Sequence, residues 1–248
     1  MTTNWLEADW PAPDFIKAGT TIRHGGVSTT PYTSFNLATH VGDELAAVKQ
    51  NRATLSRRLS LPCEPHWLEQ IHSTTVVLLP NEDVIPKADA VYTSETNIVC
   101  GVMTADCLPL LITDEQGSCV AAIHAGWRGL CDGVIESTIK KLPVEPESLL
   151  VWLGPAIGPD VYEVGKEVYD AFQLADHDSD ASQQAFTPTA EQHWLLDMYY
   201  MARVRLNNIG VSQIYGGTRC TFSEKEQFFS YRRDGATGRM ASLIWISN

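Results

Sequence analysis

Short apolar runs separated by helical segments limit the fold of this chain more than any other feature of its sequence. Four runs rich in Val, Ile or Leu are too short for helices and predict strands at 75–79, 98–103, 108–113 and 120–124. Further strands are predicted at 149–153, 213–216, 228–232 and 240–246. Helices are predicted at 44–59, 127–142, 163–175 and 194–209, and a polar surface loop at 176–192. Because the regular strand–helix–strand rhythm is absent, we predict an α/β fold with mixed β-sheets.

Length and composition fit one globular domain. The chain has 248 residues, of which 44% are hydrophobic and 19% charged, so it can bury a sizeable core and is not disordered. It contains no repeat and no convincing linker, and we therefore predict a single domain over residues 1–248. The formal charge of -12 argues against nucleic acid and anionic membranes as partners, because both attract basic surfaces.

The sequence also favours a cytoplasmic location. The longest nearly uncharged stretch, 96–113, is interrupted by Asp106 and Pro109, so no membrane span is predicted. The N-terminus is acidic and lacks the apolar core of a signal peptide. The six cysteines lie mostly in apolar runs, and without export we expect free thiols.

Several common catalytic motifs are missing from the sequence. It has no P-loop, no G-x-G-x-x-G, no G-x-S-x-G and no H-E-x-x-H. No two cysteines are three positions apart, which excludes C-x-x-C zinc ribbons and the zinc deaminase signature. No two histidines are two positions apart, and such pairs would be expected at a multi-copper oxidase centre.

Three segments carry the residues that are most able to do chemistry: 70–73, 104–109 and 124–129. Each follows or ends an apolar stretch, and Cys107 and His124 are thereby placed at strand ends, where sites of α/β proteins usually form. Two imidazoles and one thiolate suit zinc, and three protein ligands leave a fourth position open for catalysis.

Other interpretations of the same residues stay open. His72 could be a polar surface residue, Cys107 a small buried residue and His124 a satisfied histidine at a strand end. Alternatively, Cys107 could be a nucleophile with His72 or His124 as its base, and Asp106 could orient the histidine. The sequence does not separate the metal site from the nucleophile.

Arginine is the second chemical signal. Arg23, Arg52 and Arg128 lie in or beside motif-like segments, and guanidinium groups suit phosphate or carboxylate. Each of them could equally be a solvated surface residue or part of a structural ion pair. The glycines that flank Trp127 and Arg128 indicate close backbone approach at a helix start, which could offer N–H groups to an anion.

Ten segments together resemble the YfiH family, whose members are also named laccase-domain or polyphenol-oxidase proteins. They run in order along nearly the whole chain: TIRHGGVS (21–28), SFNLATHVGD (34–43), NR (51–52), QIHS (70–73), ADA (88–90), TADCLPL (104–110), HAGWRG (124–129), GPAIGPDVYEVG (154–165), FFSYRRDG (228–235) and TGR (237–239). The resemblance implies a four-layer α/β/β/α sandwich related to cysteine hydrolase toxins. It also implies zinc held by His72, Cys107 and His124, with copper less favoured.

The resemblance further implies purine nucleoside chemistry. The expected activity is zinc-dependent phosphorolysis of adenosine, inosine and methylthioadenosine, together with adenosine deamination. Arg23, Arg52 and Arg128 would hold phosphate, and Asp106 would carry a proton or orient His124 or His72. The alternative is a cytoplasmic peptidoglycan-editing amidase that removes a misincorporated amino acid from UDP-MurNAc-amino acid. Either enzyme would bind a nucleoside or nucleotide-linked substrate, and we expect a monomer or weak homodimer.

Overall fold

The computed structural model describes residues 4–81, 85–175 and 183–248. The strands are β1 (Trp5–Glu7), β2 (Ile16–Thr21), β3 (Val76–Leu78), β4 (Ala90–Thr93), β5 (Cys100–Thr104), β6 (Leu108–Asp114), β7 (Val120–Ala125), β8 (Leu149–Leu153), β9 (Glu163–Gly165), β10 (Phe186–Ala190), β11 (His193–Leu196), β12 (Gln213–Gly216) and β13 (Met240–Ile246). The helices are α1 (Leu45–Leu59), α2 (Trp127–Asp132), α3 (Val134–Ile139), α4 (Lys166–Ala175), α5 (Met198–Asn208) and α6 (Tyr231–Asp234). The predicted α/β fold with mixed sheets is confirmed.

The largest sheet places two of the candidate site residues at one edge. It has six strands in the order β12-β8-β6-β7-β4-β3, with parallel pairs at both ends and antiparallel pairs between them. Leu108 at the start of β6 pairs with Ala125 at the end of β7. Cys107, which directly precedes β6, and His124 of β7 therefore lie at the same end of the sheet.

A second sheet packs against the first, and helices cover the outer faces. Its four strands follow the order β1-β2-β13-β5. On one face, Leu243 of β13 packs with Leu55 of α1. On the other, Ile244 joins a buried cluster with Leu111 of the six-stranded sheet. Leu110, the neighbour of Leu111, points the opposite way into a third cluster with residues of α2 to α5. These contacts favour the four-layer arrangement, which, like the relation to cysteine hydrolase toxins, stays a prediction.

A small third sheet corrects two of the predicted helices. Strands β10, β11 and β9 pair antiparallel in that order. The helix predicted at 163–175 begins only at Lys166, because its first three residues form β9. The helix predicted at 194–209 begins at Met198, where the Asp197 side chain accepts a hydrogen bond from the backbone N–H of Tyr200. The predicted surface loop includes β10 at 186–190, and its residues 176–182 lie outside the described residues.

Two further elements differ from the sequence prediction. The helix predicted at 127–142 is broken at Gly133, whose φ of 93° lies in the left-handed region that favours glycine. The strand predicted at 228–232 is wrong: Phe228 is buried in a small side cluster, and Ser230 caps the short helix α6. In the described part of the chain, no helix is both long and apolar enough to cross a bilayer.

Candidate metal centre

The three predicted ligands come together in space. Their candidate ligand atoms all lie within 4.8 Å of one another. The Cys107 Sγ is 3.8 Å from His72 Nε2, and the rings of His72 and His124 meet edge to face with centroids 4.8 Å apart. His124 is the last residue but one of β7, Cys107 occupies the turn between β5 and β6, and His72 lies in the segment before β3. Three distant segments thus contribute one side chain each.

A buried carboxylate holds the backbone that carries His72. Asp89 is fully buried and accepts hydrogen bonds from the backbone N–H groups of Ile71 (3.2 Å), His72 (2.9 Å) and Ser73 (2.6 Å). The Ser73 hydroxyl donates a further bond of 2.8 Å. His72 has a φ of 59°, a conformation that side-chain-bearing residues seldom adopt, and these bonds stabilise it.

The same carboxylate orients the second histidine. His124 Nδ1 lies 2.8 Å from Asp89 Oδ1, and the His124 backbone N–H donates to the Asp89 carbonyl at 2.7 Å. Because Nδ1 is engaged, Nε2 is the ring nitrogen that remains for a metal or for Cys107. A carboxylate bonded to the far nitrogen of a ligating histidine is the usual arrangement around zinc.

The site favours a thiolate beside an imidazolium. Burial by itself would raise the pKa of Cys107, but the charges and hydrogen bonds of His124 and His72 outweigh it and lower that pKa. Burial would lower the pKa of His124, but the Cys107 thiolate and the Asp89 carboxylate raise it. The deprotonated thiol is the form that binds a metal or attacks a carbonyl.

Gly126 and Gln70 allow the candidate ligands to lie close together. A Cβ on Gly126 would lie 2.5 Å from His72 Cδ2 and 3.2 Å from Cys107 Sγ, so only glycine fits between β7 and α2. The Gln70 side chain forms two hydrogen bonds with the backbone of Met103, donating at 2.7 Å and accepting at 2.8 Å. These bonds attach the His72 segment to β5.

The three residues fit a zinc ion. In a tetrahedral site with the usual bond lengths, nitrogen and sulfur ligands are about 3.6 Å apart, close to the 3.8 Å between His72 and Cys107. They line a cavity of about 390 Å³. Its walls are formed by His40, Gln70, His72, Met103, Thr104, Ala105, Cys107, His124, Tyr231 and Arg239.

The structure gives the orienting role to Asp89 and not to Asp106, which corrects that part of the sequence prediction. The Asp106 carboxylate accepts hydrogen bonds from the Thr221 hydroxyl at 2.6 Å and from the backbone N–H of Arg232 at 2.7 Å. These bonds connect the turn that contains Asp106 and Cys107 to the segment 221–232. Its role as a proton carrier stays a prediction.

The three predicted phosphate-binding arginines lie outside the walls of this cavity. Arg23 donates to the carbonyls of Thr33 and Lys225 and lines a separate surface pocket. Arg52 donates to a backbone carbonyl at 2.9 Å and stacks on a tryptophan. Arg128 is exposed and lies over the ring of its neighbour, Trp127.

Three further residues belong to the site without having been predicted from the sequence: Asp89, His40 and Arg239. Asp89 orients two ligands, and the other two line the cavity. All three lie inside segments that carry the family resemblance, at 88–90, 34–43 and 237–239. Their position inside these segments was the one signal in the sequence that could have indicated them as site residues.

Comparison with known proteins shows the family of this chain. A family model described as multi-copper polyphenol oxidoreductase laccase matches residues 17–247. The chain is 53% identical over 243 residues to a Haemophilus influenzae protein named purine nucleoside phosphorylase, covering 97% of this chain and 98% of the relative. It is 50% identical over 238 residues to the Escherichia coli protein named purine nucleoside phosphorylase YfiH, covering 96% of each. The chain belongs to the YfiH family.

Solved structures of YfiH-family relatives have the same fold. A crystal structure of a Neisseria meningitidis DUF152 protein matches with a TM-score of 0.93 and 47% identity, covering 99% of this chain and all of that one. The crystal structure of YlmD from Geobacillus stearothermophilus matches with a TM-score of 0.93 and 30% identity, covering 100% and 98%. In the described residues, His72, Cys107 and His124 are the one group of three or more potential ligands close enough to hold a metal ion.

Proposed function

We propose that this YfiH-family chain is a zinc-dependent purine nucleoside phosphorylase whose active site is the cavity around His72, Cys107 and His124. The observation that carries the proposal is the 53% identity, over nearly the whole chain, to a relative named purine nucleoside phosphorylase. The His-Cys-His group supports it, because it provides a coherent metal-binding set in a cavity large enough for a small ligand.

The proposed reaction replaces one bond at the ribose by another. A phosphate oxygen forms a bond to C1′ while the bond from C1′ to the purine nitrogen breaks, and the electron pair leaves with the base, which takes up a proton. Zinc, when bound, would supply positive charge that polarises an oxygen of substrate or water. Asp89 keeps His124 in the tautomer that presents Nε2, and its bonds to the backbone keep His72 in place.

We include adenosine deamination in the proposal as a second reaction of the same cavity. Water would add at C6 of adenine, the C6–N bond would break, and ammonia would leave, giving inosine. Both reactions need a nucleoside in the cavity, but only phosphorolysis needs phosphate. The two activities are therefore separable by omitting phosphate.

A second candidate function is an amidase, and one observation favours it. Cys107, His124 and Asp89 form a thiol–imidazole–carboxylate series, with the His124–Asp89 bond at 2.8 Å. In such an enzyme the thiolate would attack an amide carbonyl, and the amine would leave with a proton from the imidazolium. Water would then hydrolyse the thioester. The candidate substrate is UDP-MurNAc carrying a misincorporated amino acid.

The test is chromatography of adenosine incubated with the zinc-loaded protein, with and without phosphate. Adenine and ribose 1-phosphate that require phosphate would support phosphorylase activity, and inosine in both samples would support deamination. Cys107→Ala should abolish every product, whereas Cys220→Ala, a control at a half-buried thiol outside the cavity, should not. Absence of all products from the unmodified protein would contradict the proposal, and release of an amino acid from the muramyl substrate would favour the amidase.

We also propose a cytoplasmic protein that acts as a monomer or weak homodimer on small molecules. The formal charge of -12 supports small molecules as the partners, because it opposes binding to nucleic acid and to anionic lipid. Sedimentation velocity should show a species near 27.4 kDa that associates only at high concentration. A stable tetramer would contradict the proposed state.

A further inference from the structure

Beside the candidate metal ligands, one arginine lines the wall of the cavity. Arg239 is half-buried, and among the described residues it forms no ion pair with Asp or Glu. Its Nη1 donates to the backbone carbonyls of Thr237 at 2.9 Å and Gly238 at 3.1 Å. These bonds orient the guanidinium but do not balance its charge. Cys107 and Asp106 act on it electrostatically, but in the described residues neither accepts a hydrogen bond from it. A half-buried guanidinium in this setting attracts an anion that can contact it directly.

A buried hydroxyl beside Arg239 also lacks a partner. Thr104 is 1% exposed, lines the same cavity, and its Oγ1 has no hydrogen-bond partner among the described residues. Met240, which follows Arg239, pairs with Thr104 across β13 and β5. Arg239 and Thr104 thus lie at the same end of this strand pair, and both line the cavity. An unsatisfied buried hydroxyl costs stability, which a ligand oxygen in the cavity would recover.

His40 adds a third polar group to the wall of the cavity. Burial, together with the positive charges of Arg239 and Arg52, lowers the pKa of His40, so its neutral ring can donate or accept a hydrogen bond. The buried Asn36 side chain connects the segments that carry His40 and Arg239, because its Oδ1 accepts from the backbone N–H groups of Ala38 and Arg239, each at 3.0 Å. One amide thus sets the spacing of the two segments.

We propose that Arg239, Thr104 and His40 form a phosphate subsite in the cavity that holds the candidate metal ligands. The inference rests on the proposed function, because phosphorolysis requires phosphate next to the nucleoside. The guanidinium would donate two N–H groups to phosphate oxygens, and the Thr104 hydroxyl would donate a third hydrogen bond. The phosphate is either the free co-substrate or a phosphate group of a nucleotide-linked substrate.

Direct titration separates the subsite from the reaction. Inorganic phosphate is titrated by calorimetry into the full-length protein, with and without zinc and without nucleoside. Arg239→Gln should weaken phosphate binding about tenfold or more, and Arg239→Lys should recover part of it. Arg57→Gln, which makes the same change in net charge on an exposed part of α1, should bind phosphate as the unmodified protein does.

Thr104→Val tests the phosphate subsite in a variant that we expect to fold normally. Because the hydroxyl is buried and unpaired, its replacement should leave the unfolding temperature unchanged or raise it, while phosphate binding weakens several-fold. During turnover, the KM for phosphate should rise in Arg239→Gln and Thr104→Val while the KM for adenosine stays within about twofold. Equal phosphate affinity and equal phosphate KM in these variants and in the unmodified protein would overturn the subsite.

The titration also distinguishes failure of the subsite from failure of the phosphorylase activity. If adenosine is not cleaved but phosphate still binds in a manner that depends on Arg239, the activity proposal fails and the subsite stands. A parallel titration with UDP identifies the source: tighter binding than phosphate, weakened by Arg239→Gln, would support a nucleotide-linked substrate. If neither phosphate nor UDP binds the unmodified protein, the subsite is wrong.

Discussion

Asp89 is the residue on which most of the site's geometry depends. One carboxylate accepts bonds from three consecutive backbone N–H groups around His72 and from the ring of His124. The residue types of His72, Cys107 and His124 suggested a shared site, and the family resemblance implied that the three side chains hold one metal ion. The carboxylate could not be chosen in the same way, because Asp106 is adjacent to Cys107 in the chain and Asp89 is not. Only the fold shows which acid reaches the histidines.

Asp89→Asn should reduce zinc affinity by about tenfold to a hundredfold. The reason is that an amide NH₂ placed against backbone N–H donors repels them and displaces either the His72 segment or His124. Competition with a chromophoric chelator measures the affinity. Asp114→Asn is the matched control, because Asp114 is also a buried carboxylate that accepts backbone N–H bonds, from Ser118 and Cys119. It should lower stability and leave zinc affinity unchanged. Equal zinc loss in both variants would contradict the role of Asp89.

Alkylation of the metal-free protein should single out Cys107. Its pKa is lowered by His124 and His72 despite burial, so its thiolate persists at pH values where an ordinary thiol is protonated. Iodoacetamide should therefore modify Cys107 at pH 7, and the rate should fall only as the pH drops below this lowered pKa. Burial raises the pKa of Cys119 to about 12, and it should stay unmodified. Peptide mass spectrometry measures both sites. Preferential labelling of Cys119 would contradict the assignment.

Among the elements, the junction of β7 and α2 matters most for the site. The strand ends at Ala125, one residue after His124, and the helix begins immediately beyond Gly126, the residue packed against His72 and Cys107. Chain order and glycine content predicted this junction. They did not predict β9, β10 and β11, because these strands have three to five residues and carry exposed polar side chains that resemble loops and helix ends.

Gly126→Ala should remove bound metal without unfolding the protein. The added methyl group would lie 2.5 Å from a ring carbon of His72, so the histidine must move. Gly133→Ala is the control: at its φ of 93° it should lower stability by about 1 kcal/mol, but no atom lies nearer than 3.4 Å to the added methyl group. Metal content by mass spectrometry and unfolding by circular dichroism distinguish the two effects. Full metal occupancy in Gly126→Ala would contradict the close packing.

On the scale of the whole molecule, the six-stranded and four-stranded sheets pack face to face and form a buried core next to the site. Leu111 is fully buried between them, three residues beyond the start of β6. The mixed α/β class and the clustering of the site were predictable, because apolar run lengths and motif positions are local properties. The arginine that lines the cavity could not be identified from such local properties, because Arg239 reaches the cavity through the pairing of β13 with β5.

Leu111→Ala should destabilise the fold by about 2–5 kcal/mol through lost burial and a residual cavity. It should leave kcat and KM nearly unchanged, because the substitution lies in the core and not in the cavity wall. Urea unfolding measures the loss. Leu78→Ala is the control, since Leu78 is 53% exposed and its truncation should change stability little. Similar losses in the two variants would contradict the assignment of the core between the sheets.

The most direct test of the central claim is to measure bound metal and adenosine turnover in the same samples during zinc titration of the stripped protein. We predict that turnover rises in proportion to zinc and saturates at one equivalent. Cys107→Ser should neither bind that equivalent nor turn over adenosine, while retaining the native circular dichroism spectrum. Full turnover by the stripped protein would contradict the metal-dependent account and would assign the chemistry to Cys107 acting as a nucleophile with His124 and Asp89.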